Sequence, residues 1–298
     1  MDSTTLLALL DSWLLHLAAE RKSPRTLKVY GDGVRAFGRW ADANDRAPLL
    51  DRPTVNAFVA GLVDAGAESA TVKSRQAAVR RFSRWLAEED EIDVDQLVGL
   101  KPPKLDVKVV PELSEDELRA LLKACQGKSL RDRRDEALVR LMTETTARAG
   151  EVVDMQVGDV DLKEGTAVVR RGKGGKGRRV PFGPQTGRAL DRYLRARRSH
   201  RLADTPALWL GESGRGFGYD GLYRALTGRA QAAGLPDGFS PHWLRHTGAG
   251  RWLAAGGSEQ GLMAVAGWSS REMIDRYTRA TSERRAAEEA RRLGLGDL

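Results

Sequence analysis

A histidine and an arginine lie three residues apart in the segment Ser240–Thr247, directly after a proline. A helix that begins at Pro241 would carry His242 and Arg245 on one face, because side chains three residues apart are neighbours on a helix. An imidazole beside a guanidinium can hold a phosphate and move a proton next to it. Solvated helix faces also show this spacing, so the interpretation depends on the other residues that accompany the pair.

Five side chains together supply what exchange of a phosphodiester bond needs without a metal. Two guanidinium groups can neutralise the non-bridging oxygens, because their planar fork fits phosphate and keeps its charge. A lysine on a hairpin can protonate the leaving oxygen, a histidine can take or relay a proton, and a tyrosine can form a covalent phosphoester. These five residues are Arg148, Lys173, His242, Arg245 and Tyr277. Structural alternatives exist as well: Tyr277 follows Ile274 by three residues and fits a helix core, Lys173 and Lys176 fit a solvated turn, and Arg148 with Glu151 fits a surface pair.

The elements that would position these residues belong to a second domain that begins with a capping box at Ser114–Glu117. Two short strands, 166–170 and 178–182, are predicted on either side of the glycine-rich tip 172–177. The tip is not a nucleotide-binding P-loop, because Lys176 is followed by glycine and leads into a strand. Helical periodicity and breaker residues predict the other elements: helices at 132–147, 184–200, 219–233, 241–255, 258–266, 270–279 and 282–293, and a short helix over 152–155 after a turn at Gly150.

The first hundred residues predict a small all-α domain with four helices, and Ser23-Pro24 marks the start of the second helix. The fourth helix, from about Ser69, has a basic face opposite its apolar stripe. A linker follows at 101–112, where two adjacent prolines lie between lysines. It could lie along a nucleic acid backbone or be an exposed hinge, and the two interpretations are equally supported. The candidate DNA-binding residues are Lys73, Arg75, Arg80, Arg81, Arg84, Lys101, Lys104 and Lys176.

Bulk composition is consistent with a nucleic acid partner. The chain has 298 residues, enough for two domains, and a net charge of +8, which makes a polyanionic partner plausible. Its one cysteine excludes an intramolecular disulfide and disfavours a metal–thiolate cluster. The apolar start carries Asp2 and lacks a basic leader, so it predicts a first helix and not a signal peptide. These features predict a soluble, intracellular protein, specifically a cytoplasmic protein associated with the nucleoid.

The order and spacing of the motifs resemble the tyrosine recombinase (phage integrase) family, over most of the second domain. The amino-terminal helices are similar to the core-binding domain of that family. The matching segments are Thr146-Ala147-Arg148-Ala149-Gly150-Glu151, Gly172-Lys173-Gly174-Gly175-Lys176-Gly177-Arg178, His242-Trp243-Leu244-Arg245-His246-Thr247, Ala266-Gly267-Trp268 and Arg276-Tyr277-Thr278.

The resemblance implies a fold and a role for each site residue. The fold would be an all-α core-binding domain, 1–100, and a mainly α catalytic domain with a small β-sheet (α+β), 113–298. Arg148 and Arg245 would clamp the scissile phosphate, and Glu151 would be a buried partner that positions the site. Lys173 would be the general acid, and only the family motif selects it over Lys176. His242 would assist proton transfer and Tyr277 would be the nucleophile.

Three features depart from the family pattern. Trp268 stands where the family often has a second histidine; its indole N–H can still donate a hydrogen bond, but any proton-transfer role is lost. Thr278-Arg279 replaces a common Thr-His, and Gly248-Ala249-Gly250 is unusually rich in glycine. These departures argue against a housekeeping chromosome-dimer resolvase and favour a mobile-element or integrase-type enzyme.

The resulting hypothesis is a site-specific recombinase that binds duplex DNA at paired recognition sites, as a monomer in solution and a homo-tetramer on DNA. It would need neither ATP nor metal, because the covalent link keeps the bond energy. A tail helix at 282–293 would, by resemblance, dock on a neighbouring protomer; a frayed or internally docked tail is the alternative. The competing functions are a type IB topoisomerase and a DNA-binding protein with an inactive site.

Overall fold

Two compact units, Met1–Lys108 and Val109–Leu298, make up the chain. The computed structural model describes residues 3–103, 111–170, 177–212, 214, 216–271, 273–275 and 291. Half of the predicted helix 270–279, and all of 282–293 except residue 291, therefore lie outside the described residues.

The described part of the first unit contains four helices: α1 (Ser3–Ala19), α2 (Pro24–Ala43), α3 (Arg52–Asp64) and α4 (Ser69–Glu88). Local chemistry sets where they begin. The side chain of Ser23 accepts a hydrogen bond from the N–H of Thr26 at 3.1 Å, and a proline occupies the first turn of α2. Asp51 caps α3 in the same way at 2.7 Å.

Aromatic side chains fill the core of the first unit, with Trp13, Phe37, Phe58 and Phe82 almost completely buried. Helices α2 and α4 approach closely at Gly33, where an added Cβ would lie 2.6 Å from the Cβ of Ala78. Burial of the apolar stripes on the four helices is the main source of stability in a unit of this kind.

The second unit, where the structure describes it, is mainly helical and contains one small antiparallel sheet. Its elements are α5 (Glu115–Ala124), α6 (Leu130–Thr145), α7 (Ala149–Val153), β1 (Val160–Asp161), β2 (Thr166–Val169), β3 (Arg178–Pro181), α8 (Pro184–Arg197), α9 (Tyr219–Ala232), α10 (Pro241–Ala254) and α11 (Glu259–Ala266). The strand order is β1-β2-β3, and Ala167 pairs with Val180 in the hairpin. Helix α6 packs mainly against α8 and α10.

The predicted fold class is confirmed, with corrections to single elements. The prediction of a turn at Gly150 is wrong: helix α7 begins directly after Arg148, so Gly150 lies inside that short helix. The predicted strands were one residue too long, and β1 was missed because two residues carry no periodicity. Helix α6 begins earlier than predicted, at Leu130, because Ser129 and Asp132 form a capping box. No helix in the described ranges is long and apolar enough to cross a membrane.

Candidate active site

Helix α10 carries the His-x-x-Arg pair, and backbone carbonyl oxygens of other elements bind its arginine. Arg245 is 1% exposed. Its Nη2 donates to the carbonyl of Ala266 at 2.9 Å, and its Nη1 donates to the carbonyl of Thr146. These bonds fix the direction of a guanidinium group that carries a permanent charge.

Thr146, which supplies one of those carbonyls, ends α6 in the left-handed conformation, with φ at 51°. A β-branched residue in this region is strained by about 1–3 kcal/mol. The preceding residue, Thr145, bonds its hydroxyl to the carbonyl of Leu141 at 2.6 Å and so completes the last turn of α6. Strain of this kind concentrates at functional sites, and here it lies two residues before Arg148.

Arg148 and Glu151 form a reciprocal pair at the start of α7. The backbone N–H of Arg148 donates to Glu151 Oε2 at 2.9 Å, and Arg148 Nη1 donates to Glu151 Oε1 at 2.8 Å. The Glu151 side chain is 6% exposed, whereas that of Arg148 is 33% exposed. The structure therefore brings the carboxylate under the arginine and leaves the guanidinium open to a ligand.

A third arginine joins this pair, and sequence reasoning missed it. Arg178, the first residue of β3, donates from Nη2 and Nη1 to the two oxygens of Glu151 at 2.7 and 3.2 Å. Burial raises the pKa of Glu151, but the bonds from Arg178 and Arg148 outweigh burial, so that the pKa lies below its ordinary value. The only signal in the sequence was the position of Arg178 at the end of the glycine-rich motif.

The end of α11 receives all three guanidinium groups. They donate to three consecutive carbonyls: Arg178 Nε to Val265 O at 2.7 Å, Arg245 Nη2 to Ala266 O at 2.9 Å, and Arg148 Nη2 to Gly267 O at 3.4 Å. The last carbonyls of a helix have no partner within it and form the negative end of its dipole, so cations are favoured there. Residues far apart in the chain are thereby aligned by one helix end.

His242 is exposed on the same helix as Arg245, and its ring centroid lies 4.1 Å from that of His246 in an edge-to-face arrangement. Although the ring is open to solvent, partial desolvation lowers its pKa, and the charges of Arg245 and Arg148 lower it further. A lowered pKa favours the neutral imidazole, which is the form that can accept a proton.

Trp268 lies beside the arginines as a buried side chain, 6% exposed. The guanidinium carbon of Arg245 is 5.3 Å from the centroid of its ring, within range of a cation–π interaction. Trp268 and Ile274 belong to a small apolar cluster between α10 and α11. The structure therefore brings together five of the candidate site residues, Arg148, Glu151, His242, Arg245 and Trp268, and adds Arg178.

Two of the predicted catalytic residues, Lys173 and Tyr277, lie outside the described residues, as do the candidate DNA-binding residues Lys104 and Lys176. Strand β2 ends at Val169, and strand β3 begins at Arg178. Among the described side chains, no three His, Cys, Asp or Glu residues are grouped as a metal site requires.

The basic face of α4 is partly open to solvent. Lys73, Arg81 and Arg84 are exposed, and Arg75 and Arg80 are half-buried. Two of the exposed arginines have partners: Arg84 bonds to Glu88 at 2.8 Å, and the guanidinium of Arg81 lies 5.4 Å from the ring centroid of Tyr30. Lys101 is also exposed.

Comparison with known proteins matches both units to family models. Residues 111–284 match the phage integrase family, and residues 10–90 match the phage integrase N-terminal SAM-like domain. A tyrosine recombinase XerD of Mycobacterium leprae is 32% identical over 80% of this chain and 77% of its own length. A tyrosine recombinase XerC of Pelotomaculum thermopropionicum is 30% identical over 92% of this chain and 94% of its own.

Solved structures show the same architecture. The XerH site-specific recombinase bound to a palindromic difH substrate, a post-cleavage complex, aligns with a TM-score of 0.75 at 18% identity, covering 97% of this chain and 84% of that one. A lambda integrase tetramer bound to a Holliday junction aligns with a TM-score of 0.68 at 20% identity, covering 88% of this chain and 77% of that one.

The two units and the small sheet thus have the fold of the tyrosine recombinases. The chain belongs to the phage integrase family and is a tyrosine recombinase, an enzyme that breaks and rejoins DNA strands.

Proposed function

We propose that this chain is a site-specific recombinase that cuts and rejoins duplex DNA through a covalent bond to Tyr277. The observation that carries the proposal is the alignment of Arg148 and Arg245, whose Nη2 atoms donate to the adjacent carbonyls of Gly267 and Ala266. Two fixed guanidinium groups suit the two non-bridging oxygens of one phosphate, because preorganised charge costs no rearrangement during reaction.

The chemistry conserves bonds and protons. The Tyr277 oxygen attacks the phosphorus, and the bond from phosphorus to the 5′-oxygen breaks, which leaves a 3′-phosphotyrosine and a free 5′-hydroxyl. His242 takes or relays the proton of the tyrosine, which its lowered pKa favours. Lys173 protonates the leaving 5′-oxygen. The 5′-hydroxyl of a partner strand reverses the step, so the scheme needs neither ATP nor metal.

The proposal also assigns roles to Glu151 and Trp268. Glu151 accepts bonds from Arg148 and holds its guanidinium at the site. Trp268 packs beside Arg245 and can donate its indole N–H toward a phosphate oxygen. Substitution of Trp268 by His should keep much of the activity, because both side chains are donors.

Assembly and biological role are part of the same proposal. We propose a homo-tetramer on two duplex sites, supported by the lambda integrase tetramer whose fold this chain shares, and a monomer in solution. The protein would act in the cytoplasm at the nucleoid, with its tail, 282–298, docking on the neighbouring protomer. The names of the relatives favour Xer-type recombinases, whereas the replacement at Trp268 favours a mobile-element role, and that role remains a prediction.

The test begins with a pool of duplexes that contain a nick and a randomised central segment. The DNA that stays attached to the protein after SDS treatment is recovered and sequenced, which also identifies the target. The wild-type protein should give an adduct and Tyr277→Phe should give none, although it binds the selected duplex equally well. An SDS-resistant adduct from Tyr277→Phe would contradict the assignment of the nucleophile.

Two further measurements separate the alternatives. Recombinant products from two selected sites support a recombinase, relaxation of supercoiled DNA without them supports a type IB topoisomerase, and no adduct supports a DNA-binding protein with an inactive site. A 5′-bridging sulfur at the selected site should restore cleavage to Lys173→Ala, because a thiolate leaves without a proton. Restoration in Lys176→Ala instead would show that the other lysine is the acid.

A further inference from the structure

Arg178 occupies a different position in the site from Arg148, the more exposed of the two arginines that bond Glu151. Its side chain is 11% exposed, against 33% for Arg148. Both Nη atoms face the carboxylate of Glu151, and its Nε donates to the carbonyl of Val265 at 2.7 Å. All three guanidinium nitrogens of Arg178 thus have partners inside the protein, and both of its Nη atoms are used by the carboxylate of Glu151.

The carboxylate of Glu151 is shared between two arginines, Arg148 and Arg178, and these bonds restrict the positions of both guanidinium groups. Arg178 bonds both oxygens, while Arg148 bonds the same carboxylate from its backbone N–H and its Nη1. Without Arg178, the buried carboxylate would keep only Arg148 as a charged partner among the contacts described. Arg148 would then be drawn toward the carboxylate, because an incompletely paired buried charge is costly.

Arg178 also holds the helix end to which Arg148 and Arg245 are bonded. Its bond to Val265 lies one residue before the carbonyl that accepts Arg245 and two before the carbonyl that accepts Arg148. Gly267 supports this arrangement: its φ is +64°, and a Cβ there would lie 2.9 Å from the guanidinium of Arg178. The turn after α11 is therefore shaped around Arg178.

We propose that Arg178 is a positioning residue for DNA cleavage, which directs the guanidinium of Arg148 toward the scissile phosphate by bracing Glu151 and the end of α11. The proposal rests on the proposed role of Arg148 as a phosphate ligand. A displacement of a catalytic group by about 1 Å can slow a reaction about 100-fold. Loss of Arg178 should therefore slow cleavage without removing any group that contacts DNA.

The test compares Arg178→Ala and Arg178→Lys with the wild-type protein on the duplex selected above. Single-turnover formation of the covalent adduct is measured at saturating protein, and affinity is measured separately by gel shift. Arg178→Ala should bind DNA as the wild type does and form adduct about 100-fold more slowly. Arg178→Lys should lie between them, because an ammonium keeps the charge but cannot bond a carboxylate and a carbonyl as a fork.

Arg179→Ala is the matched control. Arg179 is the next residue of β3, it is exposed, and its Nη1 donates to the hydroxyl of Thr166 at 3.0 Å across the hairpin. Its loss removes the same charge from the same strand without touching Glu151. The adduct should form at the wild-type rate.

A methylphosphonate at the scissile position separates positioning from a general loss of structure. This group replaces one charged oxygen of the phosphate by a neutral methyl, so the reaction depends less on an accurately placed arginine. The loss of adduct-formation rate in Arg178→Ala, relative to the wild type, should be about tenfold smaller on one methylphosphonate diastereomer than on the phosphodiester. The loss of rate in Arg148→Ala should shrink in the same way.

Four outcomes overturn the proposal or part of it. Wild-type rates for Arg178→Ala, or an equal deficit on both substrates, overturn the positioning role and leave the recombinase function intact. If Arg178→Ala does not fold, Arg178→Lys must form adduct more slowly than the wild type and must show a smaller loss of rate on the methylphosphonate. If Arg178→Lys shows neither effect, the proposal is overturned. No adduct from the wild-type protein overturns the proposed function as well.

Discussion

His242 keeps its ring neutral at a pH where an ordinary histidine begins to take up protons. Partial desolvation, followed by the charges of Arg245 and Arg148, lowers its pKa below the ordinary 6.5. Because the unfolded chain binds this proton more readily than the folded one, the contribution of His242 to stability falls as the pH drops below 6.5. In the proposed mechanism, the same shift would keep His242 able to accept a proton at mildly acidic pH.

We expect an NMR titration to show the ring of His242 with a pKa below 6.5 in the free protein. Arg148→Ala should raise that pKa toward the ordinary value, because one of the two repelling charges is removed. The signal is assigned by its loss in His242→Gln. A pKa unchanged by Arg148→Ala would mean that the arginine charge does not reach the ring.

Glu151 is the residue whose loss should be most costly to the site. Glu151→Gln leaves two arginines beside a neutral amide, and breaking a buried ion pair of this kind costs about 3 kcal/mol in the free energy of unfolding. The lowered pKa of Glu151 also means that its contribution is present above 4.5 and is lost as the pH falls further. Glu151→Gln should lack this part of the pH dependence.

Urea unfolding of the full chain, measured at several pH values, checks both expectations for Glu151. The control is Asp191→Asn in α8, which removes an exposed pair with Arg195, 3.0 Å apart. That change should cost at most about 0.5 kcal/mol. Equal losses from the two variants would contradict the view that Glu151 organises the site.

At the scale of elements, the glycine-rich stretch of α10 has a packing explanation. A Cβ at Gly248 would overlap the backbone carbonyl oxygen of Thr143 and lie 2.9 Å from Cγ2 of Thr146. Helix α10 can therefore approach α6 closely enough for Arg245 to reach the carbonyl of Thr146. The departure from the family pattern at this position fits the local contact between two helices.

Gly248→Ala should destabilise the protein by about 1–3 kcal/mol, because the added methyl meets backbone and not a flexible side chain. Its rate of adduct formation should fall with it, because Arg245 is carried by the same helix. Thermal unfolding and the adduct assay measure the two effects.

Gly228→Ala in α9 is the matched control for that substitution. Nothing lies within 4 Å of a Cβ at Gly228, and the residue is exposed in the middle of a helix. Alanine should stabilise the protein there by about 0.5–1 kcal/mol, since it lowers the entropy of the unfolded chain. A Gly248→Ala protein as stable as the wild type would show that α10 can move away from α6 freely.

At the scale of the whole molecule, charge governs the encounter with DNA. The net charge of +8 and the exposed lysine and arginines of α4 predict several phosphate contacts, each of which releases counterions. The logarithm of the binding constant should therefore fall steeply and linearly with the logarithm of the salt concentration.

Lys73→Ala should reduce the steepness of that salt dependence by about 0.9, the value for one phosphate contact on duplex DNA. Lys22→Ala, which removes an equal charge paired with Glu20 at 3.4 Å outside α4, should leave the slope unchanged. Titrations by fluorescence anisotropy at several salt concentrations provide the slopes. A salt-independent affinity in the wild type would contradict binding through the basic face.

The sequence by itself determined the helix boundaries that depend on neighbouring residues, and the family to which the chain belongs. Ser23 and Ser114 mark helix starts because a cap and its partner lie three residues apart. The order of Arg148, His242 and Arg245 indicated the family, because a motif can be recognised in the sequence before its contacts are known. Helices were also predictable wherever apolar residues recurred at helical spacing over several turns.

Only the tertiary structure decided how the site is held together. Arg178 and Val265 are 87 residues apart, and Arg148 and Gly267 are 119 apart, so no local pattern relates them. The left-handed conformation of Thr146 also could not be predicted, because a β-branched residue adopts it only when the surrounding contacts require it. Residue types specify which hydrogen bonds are possible, whereas packing of distant helices decides which of them form.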